Sequence, residues 1–143
     1  MTRKYDLNPS DIKLYQKMIG SGQLKNLIRT RALTLCNSRH FKQGVVYCPR
    51  DNQVLSIYHV TGHCSLTANW REDAARVLQC DVKDILKSLG EREHLRNEDL
   101  GAHLKQLEEI CKPLGAIQEA AKKGLQEWHC PPITVLERLP RIH

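Results

Sequence analysis

Apolar positions follow a helical period at both ends of this chain and alternate over a short stretch between them. Near the N-terminus, Ile12, Tyr15, Met18 and Ile19 form one stripe, with Leu14 on its edge. Asn8-Pro9-Ser10-Asp11 supplies a start signal, with Asn8 as N-cap and Pro9 as first helical residue. A first helix is therefore predicted to run to about Ile19, where Gly20-Ser21-Gly22 stops it. A second is predicted over Gln23 to about Leu35, with Leu24, Leu27, Ile28 and Leu35 on one face. The period then changes. Gly44–Cys48 (GVVYC) and Val54–Val60 (VLSIYHV) are rich in β-branched and aromatic residues. Pro49-Arg50-Asp51-Asn52 has turn chemistry, so the pair is predicted to form a β-hairpin.

After Thr61-Gly62 the helical period returns. Helices are predicted over Trp70–Gln79, Val82–Leu89, Glu98–Lys112 and Leu114–Trp128, with Pro113 separating the last two into an antiparallel pair. Leu100, Leu104, Leu107, Ile110 and Cys111 form a stripe before that proline, and Leu114, Ile117, Ala121 and Leu125 form another after it. Such stripes would suit docking on a protein partner, or self-association, through 98–128. The predicted fold is thus mainly α with a small β-hairpin (α+β) and a helical C-terminal half. Two regions result: basic helices plus the hairpin over 1–64, and a helical region over 65–143 whose tail from Pro131 is extended.

Composition agrees with helices. Aromatics are only 5% of 143 residues, so Leu, Ile, Val and Ala must build the core. Mean hydropathy is −0.49, and no apolar run approaches the ~20 residues that cross a bilayer. Met1–Ser10 is polar and has no secretory core, which predicts an intracellular protein, cytoplasmic or nuclear, whose six cysteines are thiols or metal ligands.

Charge adds a direction. The net charge is +6, and between Asp11 and Asp51 no acidic residue interrupts a series that includes Lys25, Arg29, Arg31, Arg39, Lys42 and Arg50. A polyanion such as nucleic acid is the partner that this distribution favours, through phosphate neutralisation.

The same half concentrates soft ligands. Cys36 to Cys64 holds three of the six cysteines and three of the seven histidines. Thiolate and neutral imidazole suit Zn²⁺, and Cys36-x3-His40 and His59-x3-His63 each have the spacing of half a site. Cys36, Cys48, His63 and Cys64 are the preferred ligands, with His40 and His59 as substitutes. The preference for His40 over His59 assumes that the second helix carries Cys36 and His40 on one face. Standard zinc modules use a Cys-x-x-Cys knuckle, which this stretch lacks.

Asp73–Leu89 (DAARVLQCDVKDILKSL) resembles the helix-turn-helix family of DNA-binding units. Ala75 stands where that family places a small residue, Leu78, Ile85 and Leu89 match its core positions, and Asp81 matches the cap of its second helix. Gln79 replaces the family's turn glycine. The resemblance covers 73–89 alone and implies that Val82, Asp84, Lys83 and Lys87 would face a DNA groove. A Cys/His thiol hydrolase, with Cys36 as nucleophile and His59 or His63 as base, is a less favoured alternative. Together these features point to a small nucleic-acid-binding, regulatory protein, not an enzyme, with a zinc-stabilised Cys/His region.

Overall fold

α6, Asn97–Lys122, is the longest of the described helices, and the two N-terminal helices pack along it. The computed structural model describes residues 9–90 and 97–134, so the expectations for Asn8 and for the tail beyond Thr134 lie outside the described residues. Five shorter helices precede α6: α1 (Pro9–Gly20), α2 (Lys25–Arg31), α3 (Ile57–Gly62), α4 (Ala68–Leu78) and α5 (Ile85–Gly90). One hydrophobic core draws Met18, Leu27, Ile57, Val77, Leu89, Leu107 and Ile117 from all six of them.

The fold is all-α, and this corrects the expected α+β class. Among the described residues there is no strand or sheet, only an isolated antiparallel bridge between Tyr47 and Val54. The second expected strand is overridden by a cap. Ser56 accepts a hydrogen bond from the His59 amide at 3.1 Å, and α3 begins at Ile57. Short apolar runs fit either period; the capping serine is what separates them here.

Two further expectations are corrected. Pro113 lies inside α6 and does not end it, so one 26-residue helix replaces the C-terminal pair. Proline removes a single backbone donor, and here the packing on both sides of Pro113 outweighs that loss. Both apolar stripes are largely used within the chain: Leu100, Leu104, Leu107, Ile110, Cys111, Leu114, Ile117 and Ala121 are all buried, and Leu125, beyond the helix end, is exposed. The helix ends at Lys122, followed by Gly124 at φ +67°, so the segment to Trp128 is not helical.

α2 stops at Arg31, four residues before the expected end. Leu33 and Cys36 take left-handed φ values of 59° and 58°, and the Thr34 and Leu35 amides both donate to the Arg29 carbonyl. This turns Leu35 and Cys36 into the core. The junction between α2 and α6 is tight. A Cβ on Gly115 would come within 2.6 Å of Asn26 Oδ1, and Asn26 is itself held at 2.9 Å by Glu108 Oε2. Glu108 Oε1 also accepts from the Leu27 amide at 2.8 Å, so a carboxylate from α6 serves an otherwise unpaired donor in the first turn of α2.

Candidate metal centre

Cys48, Asp51, His59 and Cys64 each offer one ligand atom, and the four atoms all lie within 4.8 Å of one another. Cys48 and Asp51 sit on a tight turn. The Asn52 amide donates to the Cys48 carbonyl at 2.8 Å, the Cys48 amide donates to the Gln53 carbonyl at 2.7 Å, and Asn52 takes φ 55° to close the loop. The Leu55 amide then reaches the Val46 carbonyl at 2.8 Å, which ties the turn to the core through buried Leu55. His59 projects from α3. The Cys64 amide donates to the His59 carbonyl at 2.8 Å, bringing the fourth residue back beneath the turn.

Outer contacts hold these residues in place. The Ser65 amide donates to Asp51 Oδ2 at 2.8 Å, and the Ser65 hydroxyl donates to Oδ1. Arg71 Nη1 donates to the Cys64 carbonyl at 2.6 Å and to the Thr67 hydroxyl oxygen at 2.7 Å. The Thr67 hydroxyl is also 2.7 Å from the Val60 carbonyl, so the end of α3 and the start of α4 are fixed to one another through this corner.

The electrostatics favour the ligand forms on one side of the site and oppose them on the other. The two hydrogen bonds from Ser65 hold the Asp51 carboxyl below its ordinary range, so it is an anion near neutral pH. Burial pushes His59 below its usual value, with Asp51 opposing, which keeps the imidazole neutral and able to donate a lone pair. Burial pushes the Cys64 thiol up to about 11, and Cys48 beside it acts in the same sense. Two sulfurs only 3.8 Å apart, in a buried pocket, do not both ionise unless a cation joins them. His59 sharpens the point. Its Nε2 is 3.2 Å from Asp51 Oδ2, yet neither ring nitrogen of this buried histidine has a well-aligned hydrogen-bond partner among the described residues. Unsatisfied buried polar atoms are costly, and a metal ion is one group that would satisfy this one. The arrangement could hold a metal ion.

Of the four preferred ligands the structure brings together Cys48 and Cys64. His59, expected only as a substitute, completes three of the corners, and Asp51 was not anticipated. The signal for Asp51 lay in the spacing, because Cys48-x2-Asp51 is a knuckle with a carboxylate in place of its second thiolate. Cys36 is elsewhere. It is fully buried, its thiol donates to the Leu114 carbonyl at 3.1 Å, and its amide donates to Gln118 Oε1 at 2.8 Å. With α2 ending at Arg31, Cys36 and His40 share no helical face, and the side chain of His40 is outside the described residues. His63 is exposed at the C-terminal end of α3. Burial also pushes the Cys36 thiol far up, which keeps it protonated and removes the basis for a thiol nucleophile there.

The basic residues divide as sharply. Lys25, Arg39, Lys42, Arg50, Lys83 and Lys87 are exposed, and Arg29 is half-buried. Arg31 is structural: its Nε donates to the Leu89 carbonyl at 2.7 Å and its Nη1 to the Tyr15 hydroxyl at 3.1 Å. In the segment from Asp73 to Leu89, Gln79 adopts φ 55° and ψ 47° between α4 and a 3₁₀ turn, Val82–Asp84, that leads into α5. The Asp81 side chain makes no capping hydrogen bond to that turn. No protein-family model, curated protein or solved structure matches this chain. No helix among the described residues is long and apolar enough to cross a membrane.

Proposed function

We propose that this chain is a small nucleic-acid-binding protein, regulatory in type, whose binding face is held in shape by a structural zinc ion on Cys48, Asp51, His59 and Cys64. The observation that carries the reading is the convergence of these four donors within 4.8 Å. The separation of the two sulfurs suits zinc. Two sulfurs on a tetrahedral ion at about 2.3 Å would be about 3.8 Å apart, and the sulfurs of Cys48 and Cys64 are 3.8 Å apart. Four protein ligands leave no open position, which favours a structural over a catalytic role. Asp51 and Cys64 would be oriented by Ser65 and Arg71, as outer contacts orient metal ligands generally.

Nucleic acid is the partner supported by charge. Arg39, Lys42 and Arg50 are exposed on or beside the ligand-bearing loop, no acidic residue lies among them in sequence, and Asp51 turns its carboxylate into the metal cluster. Lys25, Lys83 and Lys87 extend the set of exposed cations; Arg31, engaged by Leu89 and Tyr15, does not belong to it. Replacing Arg39, Lys42 and Arg50 together by Ala is expected to weaken binding to a labelled oligonucleotide and to lower the slope of log affinity against log salt by about 2 to 3. Unchanged affinity at two salt concentrations would refute this assignment.

A further inference from the structure

The turn that carries Cys48 and Asp51 also forms one wall of a cleft. Pro49 and Arg50, the two residues between the ligands, face Gln126, Glu127 and Trp128 across a cavity of about 330 Å³, with Leu66 completing its lining. That volume is at the lower end for small-ligand sites and suits a single heterocycle better than an extended substrate. Its chemistry is specific. Trp128 is a half-buried aromatic whose indole N–H donates to the Leu125 carbonyl at 2.8 Å, so the ring is fixed while its polar edge is already satisfied. Arg50 is an exposed cation, and Gln126 is an exposed amide with both donors and an acceptor.

A fixed ring, a guanidinium and an amide around one small cleft are the groups that hold an unpaired nucleobase and its phosphate: a stacking surface, an anion contact and an edge reader. We infer that this cleft receives one unpaired base of a single-stranded nucleic acid, stacked on Trp128, with its phosphate on Arg50. The inference rests on the nucleic-acid reading above and narrows it to single strands. It also ties that reading to the metal, because Pro49 and Arg50 are positioned by the loop whose ends are Cys48 and Asp51. Glu127 in the same lining would disfavour a bare anion, so a base with its phosphate is a better occupant than phosphate alone.

The test uses the full zinc-loaded chain with a short labelled single strand, the matching duplex and inorganic phosphate. Binding is followed by the label's anisotropy and by tryptophan emission, with zinc content and far-UV circular dichroism as controls. Trp70 is buried in the core, so a Trp128→Phe variant isolates its contribution to the emission. The single strand is expected to quench Trp128 and to bind at least about tenfold more tightly than the duplex. Trp128→Leu is expected to weaken it about tenfold, while Trp128→Phe, which keeps an aromatic face, stays within about threefold. Arg50→Ala should reduce the salt slope by about one. Binding with no quenching, and with equal affinity in Trp128→Leu, would overturn the cleft while leaving the broader reading intact. Equal affinity for duplex and single strand would overturn the narrowing to unpaired bases. No binding of either nucleic acid would overturn the broader reading, and the cleft assignment with it.

Discussion

Cys64 combines both features that mark the metal corner, a thiol raised to about 11 by burial and a second sulfur 3.8 Å away. Replacing it by Ser keeps the size of the side chain and removes the soft ligand. The variant is expected to purify without zinc and to lose about 4 kcal/mol of stability, lowering the thermal midpoint by on the order of 10 °C. Calorimetry beside metal analysis checks both. The thiols of the core give a separate expectation. Burial pushes Cys111 up to about 12 and moves Cys36 upward as well. Their folded state holds a proton that the unfolded thiol releases above about pH 8.5. Stability from these groups is therefore complete below that value and declines as pH rises, by up to about 1.4 kcal/mol per pH unit for each thiol. Cys111→Ala should make the alkaline limb of stability against pH shallower by about one proton. An unchanged limb would show that Cys111 ionises in the folded chain.

Single side chains also join elements. Arg31 ties α2 to the last turn of α5 and to α1, and Glu108 of α6 serves the first turn of α2. Arg31→Met is expected to cost about 1 to 3 kcal/mol in chemical unfolding and to leave the salt slope of nucleic-acid binding unchanged. Glu108→Ala, which leaves the Leu27 amide and Asn26 without their acceptor, is expected to cost a similar amount. The helices α1 and α4 and the stripes of α6 were legible in the sequence because long amphipathic periods need only one buried face to be recognised. Two features were not. Pro113 reads locally as a break, yet the stripes before and after it are continuous in space. Val54–Val60 alternates locally, yet Ser56 caps a helix there and buries His59 and Val60 side by side. The metal corner was partly legible for the same reason. Cys48 and Cys64 stand out by residue type, whereas choosing His59 over His63, and finding Asp51, required knowing that α3 is a helix and that residues 48–53 form a closed turn.

Across the whole molecule, the core and the candidate metal corner involve different parts of the chain. α1, α2, α5 and α6 close around Leu27, Leu89, Leu107 and Ile117, while apolar burial in the loop from Val45 to Gln53 is limited to half-buried Val46 and buried Cys48, with Phe41 and Leu55 on either side. Val45 and Tyr47 are exposed on that loop and Val54 just after it, so its shape depends on the turn and on the contacts among Cys48, Asp51, His59 and Cys64 more than on packing. Removing metal is therefore expected to loosen the loop and the Arg50–Trp128 cleft before the helices melt. Elemental analysis of the purified chain, beside thermal unfolding with and without a chelator, decides whether zinc holds this corner. About one zinc per chain, lost on chelation and absent from Cys48→Ser and Cys64→Ser, with a lowered unfolding midpoint each time, is the expected result. A metal-free chain that folds stably and is indifferent to both zinc and chelator would contradict it.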